Sequence, residues 1–290
     1  MDSGGQPQVS SIAVAPDVSL RLRRWAPSGA PRGRFLLVHG LASNARLWDG
    51  VGRALAGLGH EAAAVDLRGH GLSDKPDHGY DFETVTGDLL AVIAALGWER
   101  PVVVGQSWGG NPALELAGRA PSAVAGIAAV DGGTIDLQTH YPQWSDCARA
   151  LRPPALAGMP AGDLERRLRD AHPDWPEEGI AGTMGNFRLC DDGTIEPWLT
   201  LGRHLTILRG LWDHRPESRY PEIPVPVLLI PAVSEASAWS AERQAATQRA
   251  LHALPRARAA AIAGDHDLHA QHPARIAALL DSAWTEGFWS

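Results

Sequence analysis

Two cysteines, Cys147 and Cys190, are all that the 290-residue chain carries, too few for a disulfide framework and suited to a reducing cytoplasm. No Cys or His cluster has the spacing of zinc ligands, and nothing else in the chain calls for a cofactor or metal. There is no basic surplus: 26 Lys+Arg stand against 33 Asp+Glu, a formal charge of −7. With the arginines scattered, this argues against nucleic acid as a partner and makes a non-anionic small molecule the expected one. Long apolar runs are missing as well. The best of them, residues 225–233, is short and broken by proline, so no membrane span is expected. Residues 1–11 are polar, without the basic and apolar regions of a signal peptide, and a cytoplasmic location is the expectation. No internal period of 20 to 50 residues marks a solenoid or propeller. Phe and Tyr are scarce, at 4 and 3, beside 11 Trp.

What is present is an alternation of strand-like and helix-like segments. Residues 9–14 and 18–25 look like an opening antiparallel pair. Residues 35–39 read as a buried strand, followed by Leu47, Val51, Leu55 and Leu58 on one helical face. The unit repeats with a strand over 60–66 and a helix over 82–96, Asp81 serving as N-cap. Residues 101–106 then form a strand, 108–119 a helix and 125–130 a strand. After Asp131 the pattern stops, and it resumes with a strand at 226–230, a helix at 240–254, a strand at 257–263 and a helix at 273–284. Such a series predicts a mostly parallel sheet with helices on both faces and chemistry at the carboxyl strand ends. The domain reading is a core of residues 1–131 and 225–290, with 132–224 inserted as a helical cap. Trp144, Trp175, Trp198 and Trp212 in that insertion are expected to give it apolar walls and to exclude water.

Gly105-Gln106-Ser107-Trp108-Gly109-Gly110 follows an apolar strand and opens a helix. That is the setting of a strained turn that holds a serine hydroxyl exposed, with glycines two residues either side because those positions face each other. The helix start beyond it aims free N–H groups at the point where an oxyanion would form. His39-Gly40-Leu41-Ala42 ends an earlier strand, and the N–H groups of Leu41 and Trp108 are the expected oxyanion pair; His39 itself is read as a loop buttress. A serine needs a base. His266 closes the last predicted strand and is the choice, while His269 and His272 are expected to face the insertion or solvent. The acid that would orient the imidazole is left between two residues. Asp131 ends the strand after the serine's helix, and Glu235 follows the strand over 227–230; both keep the order Ser, acid, His.

His39-Gly40, the run from Asp66 to Ser73 (DLRGHGLS), Gly105 to Gly110 and Gly264-Asp265-His266 together resemble the capped α/β-hydrolase superfamily. The resemblance implies an eight-stranded, mostly parallel sheet with an inserted helical cap, and a site wall shaped by the loop at 68–73. Ser107 stands where dehalogenases and epoxide hydrolases of that family carry aspartate, which speaks against alkyl-enzyme chemistry. Pro231 to Glu235 departs from the glycine and aspartate usual there. The implied activity is hydrolysis of a small to medium hydrophobic carboxylic ester or lactone through an acyl-enzyme on Ser107. Two other readings stay open: a cofactor-independent dioxygenase or lyase acting on a heteroaromatic substrate with His266 as base, and a ligand-binding protein on the same fold.

Overall fold

The computed structural model describes residues 5–234 and 240–289. Along the chain, β1 (Gln8–Ala15) and β2 (Val18–Trp25) form a hairpin, and β3 (Arg34–Val38) leads through a 3₁₀ turn at Ala45–Trp48 into α1 (Asp49–Gly57). Next come β4 (Glu61–Val65), α2 (Phe82–Ala95), β5 (Val102–Gln106), α3 (Gly110–Arg119) and β6 (Gly126–Val130). The inserted stretch holds α4 (Leu137–His140), α5 (Trp144–Ala150), α6 (Ala161–Ala171), α7 (Glu177–Met184), the short ribbon of β7 (Phe187–Leu189) and β8 (Ile195–Pro197), α8 (Leu201–Asp213) and α9 (Pro216–Arg219). The chain closes with β9 (Val227–Ile230), β10 (Ala232–Val233), α10 (Ser240–Ala253), β11 (Ala257–Ala259), β12 (Ile262–Ala263), α11 (Leu268–Gln271) and α12 (Pro273–Thr285).

Eight strands make one sheet in the order β1-β2-β4-β3-β5-β6-β9-β11. β1 and β2 are antiparallel, and the six from β4 to β11 run parallel. This is the α/β-hydrolase fold. The central strands are buried at every position because both faces are covered, and all but Glu61 and Gln106 at their ends are apolar or glycine. Their side chains alternate between two cores with the period of a strand. Leu36, Val38, Val103, Ile127 and Leu229 face α2 and α3, whereas Phe35, Leu37, Val104, Val130 and Ile230 face α1 and α12. Strand order reverses at β3, flanked by β4 and β5. A crevice opens at such a switch point beyond the carboxyl ends.

Several sequence expectations are corrected in detail. Leu47 precedes α1 in the 3₁₀ turn and Leu58 lies past its end, partly exposed, so the predicted four-residue face is really Gly50, Val51, Gly52 and Leu55. The glycines are there because Trp25 packs against Gly52, and Glu178 and Pro273 against Gly50, leaving no room for a Cβ at either. The single strand predicted over 257–263 is two short ones: β11 pairs with β9, and β12 with β10. The inserted stretch is not wholly helical, since β7 and β8 form an antiparallel ribbon. No helix among the described residues is long and apolar enough to cross a membrane.

Candidate active site

Ser107 sits at the carboxyl end of β5 with φ +51°, a left-handed conformation that a residue with a Cβ adopts only when its surroundings force it. The surroundings do so. A Cβ on Gly105 would strike the carbonyl of Gly109, and one on Gly109 the carbonyl of His39. On the far side, Gly132 presses on the backbone of Ser107 and Gly110 on Gly133. The Gly132-Gly133 pair is therefore a packing requirement of the turn, not a flexible exit from β6. The helix beyond begins as a 3₁₀ turn, Ser107–Gly109, before becoming α3.

Three predicted residues from distant parts of the chain meet here. His266 Nε2 lies 2.8 Å from Ser107 Oγ, and Nδ1 lies 2.5 Å from Asp131 Oδ2. An ionised carboxylate only accepts, so Nδ1 carries the proton and Nε2 is left to accept the serine's hydroxyl hydrogen. Asp131, itself at φ +42°, takes a second hydrogen bond at Oδ1 from the Ala232 N–H, 2.9 Å away. Its side chain is 2 % exposed. The other proposed acid, Glu235, lies outside the described residues; the one Nδ1 proton of His266 is engaged by Asp131. Burial draws the His266 pKa down, but the Asp131 hydrogen bond and the charges of Asp267 and Asp131 outweigh it against Arg243, and the net shift is upward.

The loop after β3 closes the site from the other side. His39 is fully buried; its Nε2 accepts the Leu67 N–H at 2.9 Å while Nδ1 donates to Gly40 O at 2.7 Å. It is a buttress. Gly40 is so close that a Cβ there would lie 3.0 Å from Ser107 Cβ. Leu41 and Trp108 both line the cavity shared by Ser107 and His266. Among the described residues neither backbone N–H is spent on a protein acceptor, as an oxyanion site requires.

That cavity holds about 450 Å³, within the range of small-ligand sites. None of the four tryptophans of the insertion lines it: Leu137, Leu151, Leu208 and Leu211 of that stretch do, with Ile135, Leu229 and Trp108. Trp144 and Trp212 stack edge-on at 6.0 Å with Arg209 over both rings, Trp175 packs against Leu47 and Ile180, and Trp198 lines a neighbouring cavity of about 490 Å³. The expectation of tryptophan walls around the serine is thus corrected. His269 also departs from expectation. It faces neither the insertion nor water but is fully buried, 4.4 Å from the Trp48 ring, and burial pushes its pKa down to about 3.

Two residues beside the site were not anticipated. Gln106 Nε2 donates to Asp267 Oδ1 at 3.0 Å and to His266 O at 3.2 Å, tying the strand before the serine to the loop of the histidine. Arg243 lies against Asp131 and the cavity. In sequence, Gln106 is only the variable position of the serine turn and Arg243 one of many polar residues of α10; neither carries a local signal. Among the described residues no group of His, Cys, Asp and Glu is arranged to hold a metal ion.

Residues 33–171 match the family model described as alpha/beta hydrolase fold. An esterase of Mycobacterium tuberculosis is 38 % identical over 139 residues, 48 % of this chain and 44 % of that protein. The chain thus spans less than half the length of the first curated relatives it matches. The 2-(acetamidomethylene)succinate hydrolase of Mesorhizobium japonicum is 27 % identical over 225 residues, covering 76 % of this chain and 77 % of that one. A crystal structure of E-2-(acetamidomethylene)succinate hydrolase superposes with a TM-score of 0.76 at 22 % identity, over 95 % of this chain and 98 % of the other. At that identity the likeness is one of fold.

Proposed function

On the α/β-hydrolase fold and the family-model match over residues 33–171, we propose that the chain is a serine hydrolase that cleaves a small to medium, largely apolar carboxylic ester or lactone. The observation that carries this reading is the unbroken chain from Asp131 Oδ2 through His266 to Ser107 Oγ, 2.5 and 2.8 Å, opening into a leucine-lined cavity. Relatives named as an esterase, a lipase and a succinate-derivative hydrolase support it.

Ser107 Oγ attacks the carbonyl carbon as its proton passes to His266 Nε2. The carbonyl oxygen gains the negative charge and is held by the N–H groups of Leu41 and Trp108. Collapse of the tetrahedral species expels the alcohol, which takes the proton from His266. A water molecule then gives its proton to the same nitrogen and attacks the acyl-enzyme, releasing the acid and restoring Ser107. Asp131 holds the Nδ1 tautomer and stabilises the imidazolium. We read the inserted stretch as a lid whose leucines keep bulk water from the acyl-enzyme.

A fluorophosphonate probe should label the wild type and leave Ser107→Ala unlabelled, with ester turnover lost in step. Equal labelling of both, or of neither, overturns the acyl-enzyme. Oxygen uptake with a hydroxylated heteroaromatic compound that survives in Ser107→Ala and is lost in His266→Ala would establish the oxygenase reading instead.

A further inference from the structure

We propose that the Ser107 cavity contains an anion subsite built on Arg243, and that the favoured substrates are esters whose acyl chain carries a second carboxylate a few carbons from the scissile carbonyl. This rests on Ser107 being the nucleophile of an ester hydrolase and names the class of ester.

Arg243 belongs to the first turn of α10 and lies on the wall of the same cavity as Ser107 and His266. It is the one Lys or Arg on that wall among the described residues. Its side chain is 24 % exposed, and its nearest partner is Asp131 Oδ2, 3.4 Å from Nη1. That separation is an ion pair but too long for an N–H···O hydrogen bond. Each oxygen of Asp131 already accepts one hydrogen bond, Oδ2 from His266 and Oδ1 from the Ala232 N–H. Beyond that ion pair, the guanidinium makes no hydrogen bond to any other described residue, although three-quarters of its side chain is covered.

Other charged groups on the wall are matched. Asp136 is paired with Arg215, and Glu242 with Arg249 at 2.9 Å. A largely covered guanidinium gains from further acceptors, and a ligand carboxylate can take two of its donors in one plane. Leucine on the surrounding wall keeps the local dielectric low, so the attraction is little screened. Because Asp131 is itself anionic, a ligand carboxylate near it is tolerated only at the outer edge of the guanidinium. That geometry makes the subsite selective for chain length.

The test compares monoethyl esters of succinic, glutaric and adipic acid with ethyl esters of the same length ending in methyl or carboxamide, each followed by acid release. The readout is the ratio of kcat/KM values within one protein, which cancels any effect of Arg243 on the triad. In the wild type the acid ester should exceed both neutral ones at one length. Arg243→Met should cut that preference at least about tenfold and Arg243→Lys should retain part of it. Equal rates for carboxylate and carboxamide, or a preference that Arg243→Met leaves intact, overturn the anion subsite. Glutarate should also raise the Tm of Ser107→Ala and not of the Ser107→Ala, Arg243→Met double variant. A shift in both, or in neither, overturns the subsite without reference to turnover. Failure of every ester together with glutarate binding through Arg243 would instead reject the reaction and keep the subsite.

Discussion

At the scale of single residues, the chemistry depends on the proton affinity of His266. In the proposed mechanism its neutral form is the base, and its pKa is raised because the Asp131 hydrogen bond and nearby carboxylates overcome burial. The ascending limb of kcat/KM against pH should have its midpoint above the ordinary imidazole value of 6.5. Asp131→Asn removes the charge and offers Nδ1 the wrong tautomer, so kcat should fall about 10³–10⁴-fold and the midpoint should move down. A pH–rate profile of both proteins checks this; an unmoved midpoint would place the titration elsewhere. The same interaction has a stability counterpart. A raised histidine pKa contributes stability that is fully present below the unfolded value and lost as pH rises through the folded one. With the His266 side chain 43 % exposed, that contribution is small beside the kinetic effect.

At the scale of elements, the turn from β5 to α3 shows why glycine cannot be judged by count. Gly105 meets the Gly109 carbonyl where its Cβ would be, whereas Gly87 in α2 has nothing within 4 Å. Gly105→Ala should therefore destabilise by about 1–3 kcal/mol, as overpacking does, and should displace Ser107 enough to cost activity. Gly87→Ala, in an uncrowded helix interior, should stabilise by about 0.5–1 kcal/mol and leave turnover unchanged. Denaturant midpoints and ester rates for the two variants separate these outcomes. If both behave alike, the close approach at Gly105 is not what holds the serine.

At the scale of the whole molecule, the inserted stretch and the loop of the base are joined. His172 Nδ1 and Trp175 Nε1 reach Asp265 Oδ2 at 3.1 and 3.2 Å, immediately before His266, and Gln271 Nε2 donates to Asp174 Oδ2 at 2.6 Å. Trp175 adds apolar contact with Leu47, Ile180 and Ala270. Trp175→Ala should cost about 3 kcal/mol or more through the cavity it leaves. It should also lower kcat/KM by loosening the His266 loop, with Ser107 still labelled by fluorophosphonate at a reduced rate. Thermal unfolding and labelling rates measure both. Full stability with full activity would mean that the insertion and the base are not coupled through this residue.

Much of this protein is determined by short stretches of sequence. Strand and helix alternation is set by apolar periodicity, and Asp81 caps α2 by accepting the Thr84 N–H at 2.8 Å. The serine turn is written in the glycines two residues either side of Ser107, because much of its crowding falls within five residues. What only the tertiary structure decides involves groups brought together from far apart. Asp131 reaches His266 across 135 positions, and His266 reaches Ser107 across 159. No local pattern could say that Asp131 takes the Nδ1 proton, nor that β11 and β12 separate to follow different partners. Nor could it say that leucines of the insertion, not its tryptophans, line the cavity of the serine. The expected non-anionic substrate came from net charge, which sums over the entire surface. The proposed subsite at Arg243 would rest instead on one half-buried charge beside Asp131, a local feature that net charge cannot report.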